Sequence, residues 1–162
     1  MIQKTLVLIK PDGLKRGLTG EIIKRVEQAG MKIVAMKMVH AEKGLAELHY
    51  SDAGIRYGAR VLDNLTSYLT EGPVIAVCFE GVEAISNVRR LVGSTYPNES
   101  APGTIRGDFC HTSKNHANEN NRKVGNLIHA SEDEKDAKRE IELWFSGNEI
   151  HDYKRADEEQ VW

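Results

Sequence analysis

One histidine lies where a phosphate would bind. His129 closes the apolar run 126–128 and shortly precedes Ser131, which is followed three residues later by Glu134. The Ser–Glu spacing is typical of the capping box that opens a helix. A side chain between a strand and a helix N-terminus faces backbone N–H groups and the positive end of the helix dipole, and both favour phosphate. Taken alone, a histidine in this position is more often structural.

Six further residues could stabilise the charge of a phosphoryl group if the fold brings them to His129. They are Lys10, Tyr50, Arg89, Arg90, Thr95 and Arg106. Cations and hydroxyls supply most of what a phosphoryl-transfer site needs, because its transition state spreads charge over several oxygens. Each residue also has an ordinary explanation as a turn residue, an exposed helix charge, a loop ion pair or a surface hydroxyl. No single one of them identifies a site.

Other common chemistries leave no signature in the chain. The sequence lacks GxxxxGK followed by Ser or Thr, and it lacks GxGxxG, HExxH and GxSxG. His111 and His116 lie near Cys110. Their spacing fits no standard zinc pattern, and a solvated loop explains them better. We therefore predict no metal site built from protein ligands.

The elements that must position these residues alternate between strand and helix. Apolar runs predict strands at 5–9, 31–39, 74–79 and 124–128. Helical spacing predicts helices at 20–29, 42–50, 59–70, 82–92 and 131–145. This order predicts an α+β fold of the βαββαβ type, an antiparallel four-stranded sheet with helices on one face.

Residues 93–123 form a long connection without periodicity. The first half contains proline, glycine and bulky residues, so we expect an ordered loop. The second half, 111–123, is almost wholly polar with only Ala117 to bury, and we expect a mobile surface excursion. The tail after Gly147 is charged and irregular.

Composition indicates one soluble globular domain over residues 1–162, with 40% hydrophobic and 28% charged residues. Lys+Arg 22 and Asp+Glu 24 give a net charge of −2, which argues against a dedicated nucleic-acid or membrane-surface binder. The apolar runs are too short to span a bilayer. No signal-peptide pattern is present, and Cys78 and Cys110 form no CxxC pair. The expected compartment is the cytoplasm.

Three segments carry a resemblance to a known family: IKPDGLKRGLTGEIIKR, APGTIRGDFC and NLIHASED. With GPVIAV and EIELWF in the same order, they resemble nucleoside diphosphate kinase over about residues 4–155. The resemblance implies a ferredoxin-like fold with helices on the faces of its sheet. It also implies a transferase of nucleotide metabolism that moves the γ-phosphoryl group from a nucleoside triphosphate, such as ATP, to a diphosphate. Mg²⁺ would be the cofactor, and the chain would form a homohexamer or homotetramer.

The resemblance also implies roles for individual residues. His129 would be the nucleophile of a ping-pong reaction, with Glu140 orienting its ring and Lys10 assisting. The nucleotide-binding residues implied are Lys10, Tyr50, Arg56, Tyr57, Arg89, Thr95, Arg106 and Asn126. Of these, Asn126 and Lys10 would hold the ribose hydroxyls. Mg²⁺ would bridge phosphates of the nucleotide rather than occupy a protein cage.

Three features depart from the family's pattern. Glu132 stands where the family usually has Asp. The region 55–68 is a few residues longer than its counterpart, so the base could stack on Tyr57 or on Val61, and the match of Arg56 is open. The stretch 111–123 is an insertion that could cover the site, alter subunit packing or do nothing.

Two other classes of function fit the same fold. A ferredoxin-like domain could bind nucleotide or nucleic acid without catalysis, and a structural or regulatory subunit could assemble through 111–123. The joint presence of His129, Glu140 and the cationic residues favours an enzyme, because a pure binding module has no need of a nucleophile with all its helpers.

Overall fold

The centre of the molecule is an antiparallel sheet, seen in a computed structural model that describes residues 1–162. Its strands are β1 (Ile2–Ile9), β2 (Lys32–His40), β3 (Pro73–Val82) and β4 (Ile128–Ala130). They lie in the order β2-β3-β1-β4, and every neighbouring pair is antiparallel. With a helical crossover after β1 and another after β3, this is the ferredoxin-like arrangement, which confirms the predicted fold.

Ten short helices and two 3₁₀ turns connect and cover the strands. The first five helices are α1 (Pro11–Lys15), α2 (Thr19–Gln28), α3 (Lys43–His49), α4 (Ser51–Tyr57) and α5 (Ala59–Leu69). The others are α6 (Ala84–Val92), α7 (Ile105–Phe109), α8 (Lys114–Glu119), α9 (Glu134–Trp144) and α10 (Glu158–Val161). The 3₁₀ turns are Pro97–Glu99 and Gly147–Glu149.

Side chains of β1 alternate between two apolar layers, one on each face of the sheet. Leu6 and Leu8 pack with residues of α3, α5 and α9. Val7 and Ile9 pack with residues of α2, α6 and α7. Helices therefore cover both faces, whereas the order of the elements alone predicted one. The second face is closed by helices inserted between β2 and β3 and by helix α9, which follows β4.

The last strand differs most from its prediction. The apolar run predicted a strand at 124–128, but β4 is Ile128–Ala130, so His129 lies in the strand rather than after it. Opposite His129 in the pairing with β1 is Leu8. The apolar run is broken at Leu127, whose φ of 65° is left-handed and incompatible with a strand. Hydrophobic spacing does not reveal such a turn.

The start of α9 also differs from its prediction. Asp133, not Ser131, is the N-cap, and its carboxylate accepts a hydrogen bond of 2.8 Å from the N–H of Asp136. The predicted capping box at Ser131 is therefore wrong. The Ser131 hydroxyl is buried beside β1, where it accepts a hydrogen bond of 3.1 Å from the N–H of Leu6. That position directs it toward the functional site described below.

The polar stretch 111–123 has more structure than its composition predicted. It contains α8, whose N-cap Ser113 accepts a hydrogen bond of 3.1 Å from the N–H of His116. Ala117 is fully buried, and Lys123 donates a 2.8 Å hydrogen bond to the hydroxyl of Ser67 on α5. The segment was expected to be a mobile excursion, but the buried Ala117 and the hydrogen bond from Lys123 to α5 hold it against the rest of the fold.

The C-terminal segment encloses a buried lysine. The ammonium of Lys32 lies 2.8 Å from a carboxylate oxygen of Glu80 and 3.1 Å from one of Glu158, and it donates a 2.8 Å hydrogen bond to the carbonyl of Tyr153. It also lies 4.8 Å from the ring centroid of Trp162. Burial lowers the pKa of Lys32, but its bonds to the two carboxylates outweigh burial and raise it.

Deleting residues 153–162 is expected to lower the free energy of unfolding by about 3 kcal/mol, because breaking a buried ion network costs that much. Urea unfolding measures the loss. The matched control is Lys154→Ala, which removes a pair with Glu159 whose side chains are 68% and 77% exposed. That change should cost less than about 0.5 kcal/mol. Equal effects of the two changes would contradict a structural role for the enclosed lysine.

Candidate active site

Strand β4 and helix α9 bring His129 and Glu140 into contact. The Nε2 atom of His129 lies 3.0 Å from each carboxylate oxygen of Glu140. The hydroxyl of Ser131 donates a 2.7 Å hydrogen bond to the same carboxylate. The side chain of His129 is 20% exposed and that of Glu140 is 3% exposed. Because the carboxylate engages Nε2, the nitrogen left free to react is Nδ1.

The carboxylate of Glu140 is ionised. Burial raises its pKa, but the charge and hydrogen bond of His129, together with His49 and Ser131, lower that pKa to about 2. A buried carboxylate at Nε2 keeps the ring proton on that nitrogen and fixes the plane of the ring. The lone pair of Nδ1 is then available to a phosphorus atom, as a nucleophile paired with an orienting group requires.

Lys10 directly follows β1 and lies buried, with 4% of its surface exposed. Its ammonium donates a 2.8 Å hydrogen bond to the side-chain oxygen of Asn126 and lies 4.8 Å from the ring centroid of Tyr68. Burial and the nearby charge of Arg106 lower the pKa of Lys10 to about 7, against an opposing effect of Asp12. The lysine therefore changes its charge near neutral pH.

Arg106 fixes the backbone on the other side of the site. Its guanidinium donates hydrogen bonds of 3.1 Å to the carbonyl of Asn126, 2.6 Å to that of Ile128 and 2.9 Å to that of Ser94. Burial and the charge of Arg89 lower the pKa of Arg106 to about 10. The side chain thus links the connection after α6 to β4 and keeps a positive charge beside His129.

Asn126 joins these groups into one network. Its side-chain nitrogen donates a 3.0 Å hydrogen bond to the carbonyl of Thr95, while its oxygen accepts from Lys10. Its backbone N–H donates to the hydroxyl of Tyr68 at 3.2 Å. The side chain of Thr95 is exposed at the edge of this network. Lys10, Asn126, Arg106 and the backbone of Thr95 therefore form one hydrogen-bonded network, which Arg106 joins to β4 at Ile128.

The remaining residues singled out from the sequence make no hydrogen bond to His129. The ring centroid of Tyr50 lies 6.3 Å from that of His129, and its hydroxyl is buried without a partner. Arg56 pairs with Glu132 at 3.2 Å, half exposed. Tyr57 is 68% exposed on α4, and Arg89 is exposed on α6. Arg90, at the end of α6, bonds only to its neighbour Asn87.

The sequence of the chain matches one known protein family. The model of the family described as nucleoside diphosphate kinase matches residues 3–150. The chain belongs to the nucleoside diphosphate kinase family. It is 46% identical over 160 residues to the nucleoside diphosphate kinase of Borreliella burgdorferi, covering 98% of this chain and 96% of that protein. The kinase of Archaeoglobus fulgidus is 44% identical, covering 99% and 98%.

Solved structures agree with this family. A transition state mimic of the nucleoside diphosphate kinase from Borrelia burgdorferi, with bound vanadate and ADP, superposes with a TM-score of 0.93 at 46% identity, covering 97% of this chain and 95% of the other. A halophilic nucleoside diphosphate kinase from Halobacterium salinarum, in complex with CDP, gives a TM-score of 0.86 at 38% identity, covering 100% and 99%. The fold of the chain is thus that of its family.

The chain is a nucleoside diphosphate kinase by family: a phosphotransferase that moves the γ-phosphoryl group of a nucleoside triphosphate to a nucleoside diphosphate. The function inferred from its sequence is confirmed. Kinases of this family need a divalent cation, and their substrates are nucleotides. None of the helices is both long and apolar enough to pass through a bilayer.

Several residues that organise the site of this kinase were not predicted from the sequence. The carboxylate of Asp12, within a stretch that suggested only a turn, accepts a 3.1 Å hydrogen bond from the N–H of Leu127. Tyr68 and Ser131 bond to Asn126 and Glu140, as described above. His49 is buried, and its ring contacts those of His129 in β4 and Trp144 in α9. The only sequence signal for His49 is its position directly before Tyr50.

One cluster has the composition of a metal site. Atoms of His49, His129 and Glu140 lie within 4.8 Å of one another. Two imidazoles and one carboxylate suit Zn²⁺ better than Mg²⁺, which prefers oxygen ligands. The indole N–H of Trp144 lies 3.3 Å from Nδ1 of His49 and occupies its lone pair. The cluster is therefore organised by hydrogen bonds, and it does not provide a magnesium cage.

Proposed function

We propose that His129 carries the phosphoryl group between the two nucleotides. The observation that supports this role is the Glu140 carboxylate at Nε2, which leaves Nδ1 as the free nucleophile. The lone pair of Nδ1 forms a bond to the γ-phosphorus, and the bond from phosphorus to the β–γ bridging oxygen breaks. Its electron pair leaves on the diphosphate, and the second half-reaction is the reverse transfer onto another diphosphate. The phosphorylated ring keeps the Nε2 proton, so Glu140 balances its charge throughout.

The neighbouring cations are suited to hold the transferring group. Lys10 and Arg106 would stabilise charge on the phosphate oxygens, since such stabilisation is the main catalytic contribution in phosphoryl transfer. Arg56, Arg89, Thr95 and the hydroxyl of Tyr50 would supply further contacts. Asn126 and Lys10 would hold the ribose hydroxyls. The vanadate and ADP bound by the Borrelia burgdorferi relative support a site of this kind, since vanadate mimics the phosphoryl group in the transition state of transfer.

Magnesium is proposed as the cation of this kinase, carried on the nucleotide. The only cluster of three possible ligand side chains is the His49, His129 and Glu140 group, which suits Mg²⁺ poorly. Lys10 and Arg106 are cations, so they would bind the phosphates and not the metal ion. This suits an ion that is carried by the nucleotide. When bound there, the ion supplies neutralisation of phosphate charge.

Transfer from ATP to GDP with Mg²⁺ tests the proposal directly. We expect turnover and a phosphoenzyme that is labile in acid and stable in base, as a phosphohistidine is. The isolated intermediate should discharge onto GDP. Turnover without such an intermediate would overturn the role of His129 while leaving the family activity intact. Bound nucleotide without transfer would indicate that the lengthened region 55–68 or the insertion 111–123 has made the site a binding module.

Replacing Tyr57 with alanine is expected to raise the apparent KM for nucleotides about fivefold or more. The exposed ring of Tyr57 is free to stack on a base, and such stacking contributes about 1–3 kcal/mol. Val61 is partly buried and offers less surface. Steady-state kinetics checks the change, with Ile55→Ala, an 83% exposed neighbour on α4, as the control. An effect of Val61→Ala in place of Tyr57→Ala would assign the stacking to Val61.

We also propose that the kinase is a homohexamer or homotetramer in the cytoplasm that acts on free nucleotides. Strand β2 lies at an open edge of the sheet and exposes Met36 and Met38, by 55% and 61%, which supports pairing with a second copy. Cys78 and Cys110 are free thiols, which supports a reducing compartment. The net charge of −2 supports free nucleotides over nucleic acid as substrates.

A further inference from the structure

His49 lies in direct contact with the proposed catalytic pair but bonds to neither member. It ends α3 and is 2% exposed. Its ring centroid lies 4.5 Å from that of His129, with an angle of 80° between the rings, and 5.7 Å from that of Trp144. Its Nδ1 atom lies 3.8 Å from a carboxylate oxygen of Glu140, just beyond hydrogen-bond distance. A small change at His49 would therefore bring it into competition with His129 for Glu140.

The indole of Trp144 determines the tautomer of His49. An indole nitrogen can only donate, so the 3.3 Å contact from Trp144 Nε1 to His49 Nδ1 requires a lone pair on Nδ1. The ring proton of His49 must then lie on Nε2, which is buried without a partner. In this tautomer Nδ1 has no proton to offer Glu140.

The charges around the ring act in the same direction. Burial lowers the pKa of His49 well below its usual value, and the charges of His129, Arg139 and Lys10 lower it further. Only Glu140 opposes them. The remaining titratable neighbour, Tyr50, lies edge-on to the ring and stays neutral, because burial raises its pKa.

We propose that His49 is a positioning residue, kept neutral by its burial and by the indole of Trp144, so that it does not compete with His129 for the carboxylate of Glu140. A protonated His49 would donate from Nδ1 to Glu140, draw the carboxylate away from Nε2 and weaken the orientation of the nucleophile. This proposal rests on the role of His129 as the phosphorylated residue. It assigns no contact with substrate to His49 or Trp144.

Trp144→Phe is the variant that tests this device, because it keeps an aromatic ring and removes the donor. Without the indole, Nδ1 of His49 can take up a proton at acidic pH and donate it to Glu140, 3.8 Å away, the one neighbour whose charge favours the protonated ring. Between pH 7.5 and pH 5.5, the rate of His129 phosphorylation should fall at least about fivefold further in Trp144→Phe than in the parent kinase. A factor of this size corresponds to about one charge-assisted hydrogen bond. The nucleotide dissociation constant should change less than twofold. Trp162→Phe is the matched control, since that indole donates instead to the carbonyl of Gly30 at 3.1 Å.

A second substitution separates a lost proton from a loosened core. Adding His49→Gln to Trp144→Phe removes the titrating ring, so the acidic loss of rate should disappear. If the double variant is as impaired at pH 5.5 as Trp144→Phe, the effect is one of packing and the proposal is overturned. An unchanged pH profile in Trp144→Phe would overturn it as well.

Nitrogen-15 NMR of the histidine rings tests the tautomer without any turnover. His49 should remain neutral with its proton on Nε2 down to pH 5.5 in the parent kinase and become protonated in Trp144→Phe. A ring protonated at Nδ1 in the parent kinase would overturn the inference. Because this measurement needs no phosphoryl transfer, it distinguishes a failure of the inference from a failure of the proposed role of His129.

Discussion

Replacing His129 with alanine is expected to abolish phosphoryl transfer, with a loss on the order of 10⁴-fold or more, because removing a covalent nucleophile eliminates the pathway rather than slowing it. Nucleotide binding should persist, since Lys10, Asn126 and Arg106 are held by one another and not by His129. Phosphate transfer from ATP to GDP and trapping of the phosphoenzyme measure the first effect. Equilibrium binding of ADP measures the second.

His40→Ala is the matched control for this substitution. His40 is exposed, and the only hydrogen bond of its ring is to the carbonyl of Thr70, at 3.1 Å, so its loss should leave transfer unchanged. His129→Gln is the second test, because a glutamine can still donate to Glu140 and protect the fold of the site. Substantial turnover in either His129 variant would show that another group carries the phosphoryl. A phosphoenzyme that persists in His129→Ala would point to the same conclusion.

The strands that can be predicted from the sequence are those whose apolar spacing is continuous. β1, β2 and β3 meet that condition, and so do α2 and α6. β4 does not, because Leu127 is apolar and yet left-handed, a conformation supported by Asp12, more than a hundred residues away in the chain. A contact of that separation cannot be seen in a local window.

Helix α4 is the other element that local signals miss. The predicted helices 42–50 and 59–70 leave residues 51–58 outside any helix, yet α4 occupies most of that gap and runs through Gly54. A Cβ on Gly54 would lie 3.0 Å from the side chain of Leu62, so the glycine allows α4 and α5 to pack closely. The same residue type thus has a packing role here that its low helix propensity conceals.

The residues of the candidate site likewise divide into those that local sequence predicts and those that only the packed structure reveals. His129, Glu140, Lys10 and Arg106 can be predicted because each lies in a short motif with a family resemblance. The groups that orient Glu140 cannot, since Ser131 resembles a helix cap in the sequence and its hydroxyl faces the carboxylate only after β4 and α9 have packed. Trp144 likewise reads as a core residue, and its indole meets His49 only through the packing of α3 against α9.

Lys10 gives the second large effect, and its direction depends on pH. A phosphate binds the charged form of a lysine, and the pKa of Lys10 in the free kinase is about 7. Binding should therefore be accompanied by proton uptake above pH 7, and the affinity for ADP should fall as pH rises from 7 toward 9. Isothermal titration calorimetry in buffers of different ionisation enthalpy measures both quantities.

Lys10→Met should lower kcat/KM about 100-fold at pH 6.5, which corresponds to the loss of a strong charged hydrogen bond to phosphate. The difference from the parent kinase should narrow as pH rises, because the parent loses the same charge. Lys15→Met, which removes an exposed lysine paired with Glu71 at 3.4 Å, is the control and should change neither value. An affinity for ADP that is constant between pH 6 and pH 9 would contradict this account.

The titration of Lys10 should also make the free energy of unfolding depend on pH. The unfolded chain holds the Lys10 proton up to its ordinary pKa of 10.5, whereas the folded kinase releases it near pH 7. The unfolded state therefore binds more protons between these values, and the free energy of unfolding gains a contribution from Lys10 that rises with pH. Below pH 7 the full cost of burying the charge remains.

Lys10→Met lacks this contribution, so its free energy of unfolding should exceed that of the parent most at pH 6, and the two should converge at alkaline pH. Urea unfolding at pH 6 and pH 9 measures the change, and it separates the buried charge, which destabilises the fold, from its use in binding phosphate.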